Sequence, residues 1–212
     1  CRIGAEDPGC PVHCWLAGYL KMRPGLHDRG GATGEHAPPP DRRPIWSCKR
    51  SNEPVAHPEL LDLPLRRRKP TVWMTLMGEF FDPLISDDFR AACMQVVLRA
   101  EWHAFLIPTK RWPECAAFFA WDASKPNLYI LLSAWNQFSA DEAMRCGLEA
   151  QRAAPGLKLV LNLEPLLSHV HIEGYLHWRV DGRAPAVAGV IVGPETGPGR
   201  RPCEPEWIDS IR

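Results

Sequence analysis

The chain has no apolar run long enough to cross a bilayer, no excess of charge of either sign, and no Met at its first position. The first absence excludes a helical membrane span, which needs about 20 predominantly apolar residues. The second, 25 basic against 25 acidic side chains, argues against a dedicated polyanion binder, which normally shows a basic excess. A signal-peptide pattern is lacking too, so a cytoplasmic location is expected. The start at Cys1 suggests a fragment without the β-strand that should feed the segment after it. Gly193–Gly199 carries three glycines but not the Lys of a P-loop. No Ser-His-Asp order is evident either.

Eight cysteines are present, but a small disulfide scaffold is usually much shorter than this chain. Several fall within helical patterns, so reduced thiols are expected. Cys1, Cys10 and Cys14 stand apart, at spacing C-x8-C-x3-C with His13 between the last two. Thiolates select zinc, copper(I) or iron–sulfur clusters over hard cations. A closed zinc site wants four ligands and a cubane cluster usually wants four cysteines. Three thiolates leave one position open, as a reactive metal centre requires. Spacing alone equally allows ordinary buried cysteines.

At 212 residues one sizeable core and one domain are expected. Residues 1–23 read as the cysteine loop and a first helix, with Trp15, Leu16, Tyr19, Leu20 and Met22 on one face. Residues 24–70 read as a Pro/Gly-rich, poorly structured insertion. It is basic, with Arg42, Arg43, Lys49, Arg50 and the run Arg66-Arg67-Arg68-Lys69. A charge run is usually a solvated face, with a nucleic-acid or phosphate contact as the sharper reading.

Residues 71–212 show apolar runs about every thirty residues, at 71–77, 104–108, 128–133, 158–163 and 187–192. Helices or long connections separate them, which is the period of the βαβ unit and predicts a parallel sheet in an α/β fold. Ser86 is expected to cap a helix opening with Asp87 and Asp88. A short helix is expected over Pro113–Phe119. Ser139 and Glu142 read as a capping box for the helix carrying Met144 and Leu148.

A polar or ionisable group follows every run: Glu79, then Lys110 and Arg111, Asn136, Glu164, and finally Glu195 with Thr196. In parallel β/α barrels the carboxyl edge is where function sits. A shared site is therefore expected, with an acid at a helix N-terminus as the plainer reading for each Glu. Lys110 and Arg111 suit a carboxylate or phosphate, Arg through its bidentate fork.

Pro8-Gly9-Cys10…Cys14-Trp15, Leu60-Leu61-Asp62-Leu63-Pro64-Leu65-Arg66, Met77-Gly78-Glu79-Phe80-Phe81 and Thr109-Lys110-Arg111 occur in this order. Asn136-Gln137, Glu164-Pro165-Leu166-Leu167, Val190 to Pro198 and Arg201-Pro202 follow them. Over nearly its whole length the chain thereby resembles the phage-associated three-cysteine proteins of uncharacterised function. These look like divergent relatives of the radical S-adenosylmethionine (SAM) enzymes. The chain departs from that pattern in having three residues between its last two cysteines, Trp15 after them, and Glu79 in place of Asp. It also ends before the family's closing strand, so truncation at both ends is expected.

The resemblance implies a parallel TIM-type or partial (β/α) barrel. It implies that Cys1, Cys10 and Cys14 hold a 4Fe–4S cluster and that SAM is cleaved to act on an unknown substrate. Glu79, Lys110, Arg111 and Glu164 would then be catalytic, and Asn136, Glu164, Glu195 and Thr196 would contact the cofactor. Cys48, Cys93, Cys115, Cys146 and Cys203 are expected to be dispensable for metal. Two alternatives stand beside this reading. One is a zinc-stabilised nucleic-acid-binding module, with His13 as fourth ligand and Arg42–Lys69 tracking phosphates. The other is a phage-derived barrel protein that has lost its cluster. A small-molecule cofactor and a nucleic-acid or protein partner are the expected binding partners, with no membrane.

Overall fold

The structure is a computed structural model, and it describes residues 46–49, 53–56, 58–74, 79–119, 126–179, 187–196 and 199–211. The chain divides into two compact units, Cys1–Phe105 and Leu106–Arg212. The fold is α/β, with five strands in an all-parallel sheet ordered β3-β4-β5-β6-β7. These strands are Val72–Met74, Ala104–Thr109, Leu128–Ser133, Lys158–Leu163 and Val187–Val192. All five coincide with apolar runs of the sequence, and the first is described only to Met74.

Within the first unit, β1 (Trp46–Lys49) and β2 (Glu53–Ala56) pair antiparallel, with Trp46 opposite Ala56. This hairpin lies in the segment expected to be poorly structured. Pro54 and the charged residues of both strands hide the period-2 signal there, so the expectation is corrected. The short helix α1 (Leu63–Arg66) follows, with Pro64 in its first turn. That position suits Pro because the first helical N–H groups have no intrahelical acceptor.

Helix α2 (Asp87–Arg99) begins where the sequence places it. Ser86 is extended and its Oγ accepts from Phe89 N at 3.3 Å, while Asp87 and Asp88 face the positive end of the helix dipole. The helix buries Phe89, Met94 and Val97. It also buries Arg90, whose guanidinium donates to the carbonyl oxygens of Phe80 (3.1 Å) and Asp82 (2.6 Å). A buried guanidinium must have acceptors, and these two fix the turn that carries Glu79.

β4 and β6 alternate buried and half-buried residues, whereas β5 is buried at five of its six positions. Such near-continuous burial marks a central strand covered on both faces. Leu128, Ile130 and Leu132 of β5 and Leu159, Leu161 and Leu163 of β6 are fully buried. Each contributes on the order of 2 kcal/mol by leaving water. The β5–β6 register pairs Tyr129 with Lys158 through Ser133 with Asn162, and β6–β7 pairs Leu161 with Val190.

Helix α3 (Trp112–Phe119) agrees with the expected short helix. Helix α4 (Gln137–Ala153) starts earlier than the sequence suggested. Its cap is Asn136, whose Oδ1 accepts from Ser139 N at 2.9 Å, while Ser139 Oγ accepts from Asn136 N at 3.0 Å. Ser139 is thus the third helical residue, and Glu142 pairs with Arg145 instead (3.0 Å). Asn and Ser are near-equal caps, so two of them three positions apart leave the start ambiguous. Gly147 lets this helix approach the sheet: an added Cβ would lie 2.6 Å from Leu132 Cδ1 and 3.0 Å from Leu159 Cδ1. The remaining α-helices among the described residues are α5 (Glu173–His177) and α6 (Pro205–Asp209). No helix among the described residues is long and apolar enough to cross a membrane.

Candidate functional site

Strands β4 to β7 are neighbours and parallel, so Lys110, Arg111, Asn136, Glu164 and Glu195, all in the second unit, follow strand ends on one edge. Backbone hydrogen bonds lace that edge together. Ala134 N donates to Asn162 O (2.9 Å), Leu166 N to Gly193 O (2.8 Å) and Leu167 N to Trp135 O (2.8 Å). Asn162 Nδ2 donates to Ser133 Oγ (3.1 Å), and Trp112 Nε1 to Ser133 O (3.2 Å). Each connection is therefore held by its neighbours before any ligand arrives.

The individual side chains fall into two groups. Glu195 is only 5 % exposed and is held by Arg201 in a fork, Nη2 to Oε1 at 2.7 Å and Nε to Oε2 at 2.9 Å. Arg201 N also donates to Oε2 (2.9 Å). Such bidentate pairs are strong and geometrically demanding, so this carboxylate organises the loop after β7. Arg111 is likewise engaged, donating to Glu114 Oε1 at 2.8 Å while its backbone N–H meets Thr109 Oγ1 at 2.9 Å. Asn136 spends its side-chain oxygen on the helix cap.

Glu164, by contrast, is exposed and follows β6 directly. Its side chain lies against Gly193, where an added Cβ would sit 3.2 Å from Glu164 Cγ and 3.3 Å from Oε1. Thr196 is exposed beyond Glu195. Lys110 is half-buried at the end of β4. Trp112 and Trp135, from two different connections, stack with centroids 6.0 Å apart and planes tilted by 34°. They form an aromatic surface on the same edge that the sequence did not single out. Large side chains immediately after two successive apolar runs were the available signal.

Gln137 has a structural role. Its amide nitrogen donates to Tyr175 Oη (2.8 Å) and Asp141 Oδ1 (3.1 Å), and its oxygen accepts from His171 N (2.8 Å). Tyr175 Oη also donates to Asp141. Burial and the Asp141 carboxylate together raise the Tyr175 phenol above its ordinary pKa. The phenol therefore stays a donor at physiological pH, tying 171–175 to α4.

Glu79 belongs to the first unit. It is buried, and Oε1 accepts from Phe81 N at 3.2 Å, within a turn flanked by the buried Phe80 and Phe81. Cys1, Cys10 and Cys14, His13 and the expected first helix lie outside the described residues. Among the described residues no group of three or more His, Cys, Asp or Glu is placed to hold a metal ion. Cys93, Cys115, Cys146 and Cys203 are thiols. Burial pushes the Cys93 thiol up to about 12, so it is protonated and inert at neutral pH.

No curated protein and no solved structure matches this chain. The family model described as "Protein of unknown function (DUF5131)" matches residues 8–212. Nearly the whole chain is covered, and the protein belongs to this family.

Proposed function

We propose that the chain is a radical-SAM-like enzyme whose ligand site lies on the carboxyl edge of its parallel strands. This reading takes the protein as a cytoplasmic, phage-associated member of that lineage with a partial (β/α) barrel. The observation that carries it is the run of polar and aromatic side chains after β4, β5, β6 and β7 on one laced edge. In open or closed parallel sheets, ligands meet the fold at that edge. Cys1, Cys10 and Cys14 would hold a 4Fe–4S cluster, a donor set suited to soft metals. When bound, the cluster supplies the electron for reductive cleavage of SAM, and the protein contributes binding and orientation.

The chain's own residues then divide the work. Exposed Glu164 accepts hydrogen bonds from an amine or hydroxyl of the bound molecule. Trp112 and Trp135 offer an apolar face to a flat ring and exclude water there. Glu195 with Arg201, Arg111 with Glu114, and Asn136 hold the loops in place and act as positioning residues.

Anaerobic reconstitution with iron and sulfide, followed by iron analysis and visible absorbance, tests the proposal. The wild-type protein is expected to gain broad visible absorbance that bleaches on reduction, and Cys10→Ala and Cys14→Ala to lose it without unfolding. Uptake of zinc but never of iron and sulfide would favour the zinc-stabilised module. Uptake of neither would mean that the C-x8-C-x3-C loop no longer holds a cluster.

A further inference from the structure

Four consecutive cations, Arg66 to Lys69, are exposed, the first ending α1 and the other three directly following it. Arg66 is neutralised by Asp62, with Nε to Oδ2 at 2.8 Å. Arg67, Arg68 and Lys69 form no ion pair among the described residues. A charge run of this kind is ordinarily a mobile, solvated face, but here the backbone beneath it is fixed. Trp102 Nε1 donates to Arg67 O (2.8 Å). Thr71 N donates to His103 Nδ1 (3.0 Å), and Thr71 Oγ1 to Lys69 O (3.0 Å). His103, 2 % exposed, bonds Pro64 O through Nε2 (3.0 Å). Accepting at Nδ1 makes Nε2 the donor of the neutral ring. The run is thus bracketed at both ends by one buried side chain.

Arg68 is also held individually, its guanidinium carbon 5.6 Å from the Trp102 ring centroid. Stacking on an indole restricts the long side chain while leaving its N–H groups outward. Preorganised cations lose less entropy when they meet an anion than mobile ones do. The net charge of the chain is zero, so no general positive field accounts for the cluster.

We propose that Arg67, Arg68 and Lys69 form a docking site for the phosphodiester backbone of a nucleic acid. Three cations with no ion pair among the described residues, on a short, held segment, match about two or three successive phosphates. The contact carries no base readout, because backbone contacts position without specifying sequence. It is independent of the cluster chemistry proposed above.

The test uses the full chain and fluorescein-labelled single-stranded DNA and RNA oligonucleotides of mixed sequence, read by anisotropy from 20 to 200 mM salt. The wild-type affinity is expected to fall steeply with salt. The variant Arg67→Gln/Arg68→Gln/Lys69→Gln is expected to bind at least about tenfold more weakly at low salt. Its log–log salt slope should be shallower by about two, at about 0.7 per lost single-strand phosphate contact. A variant carrying Arg145→Gln, Arg152→Gln and Arg200→Gln has the same net charge and is expected to bind within twofold of wild type. Circular dichroism and the urea midpoint confirm that both variants fold. The proposal is overturned if wild type does not bind, if the first variant keeps its affinity, or if both variants lose equally. Binding to phosphatidylserine vesicles but not to either oligonucleotide overturns it too, in favour of a lipid surface.

Discussion

Single side chains of this protein can be separated by what they leave behind when removed. Arg201→Ala strands the buried Glu195 carboxylate without its fork. Because Arg201 is 37 % exposed, water relieves part of the penalty, and the expected loss is about 2–3 kcal/mol by urea unfolding. A double-mutant cycle with Glu195→Gln should return a coupling above about 1 kcal/mol; additive losses would mean the pair is not worth its geometry. Cys93 gives a pH prediction. Its pKa rises in the folded chain from 9.0 to about 12 through burial, so the folded state holds the proton more tightly. The stability this brings is complete below pH 9 and disappears as pH climbs toward 12. Wild type should therefore lose stability between those values faster than Cys93→Ala, compared by urea midpoints at pH 8 and pH 10.5.

Helix α4 is the element on which sequence and structure are most instructively compared. Asn136→Ala should cost about 1 kcal/mol through loss of the cap, whereas Asn136→Asp should keep the cap and most of the stability. If Asn136 also touches a ligand, Asn136→Asp will weaken ligand binding while leaving the unfolding curve in place. Gly147→Val is expected to cost more than about 2 kcal/mol, since its branches would meet Leu132 and Leu159. A midpoint equal to wild type would show that the helix can lift from the sheet at little cost. The strands were legible because each is a short, largely apolar run, interrupted by no more than a residue or two such as Asn162, whose β-branched and leucine content needs no partner to be recognised. The cap was not, because Asn136 and Ser139 differ only in which one has extended backbone. The β1–β2 hairpin was hidden for a related reason: its pairing is a property of two segments together, and neither alternates clearly alone. At the edge of the sheet the positions of Lys110, Asn136, Glu164 and Glu195 could be read from strand ends. Their partners could not, since Arg201 reaches Glu195 through a fold-dependent turn that spacing does not encode.

Among the described residues, the weight of burial falls on β5 and β6, where six leucine and isoleucine side chains are sealed from water. Amides of these two strands should exchange slowest with deuterium, and those of the short α5 and α6 fastest among the helices. Exchange from β5 as fast as from α6 would place the stable centre elsewhere. The main-chain lacing of the strand tails has a consequence for inheritance. Leu166, Leu167 and Ala134 hold their connections through backbone atoms, which every residue but Pro supplies alike. The paths of those loops are therefore largely indifferent to the side chains that Trp135 and Glu164 present. A lineage can exchange these two without rebuilding the turns beneath them, and descendants of one scaffold can diverge in ligand while their backbones stay superimposable.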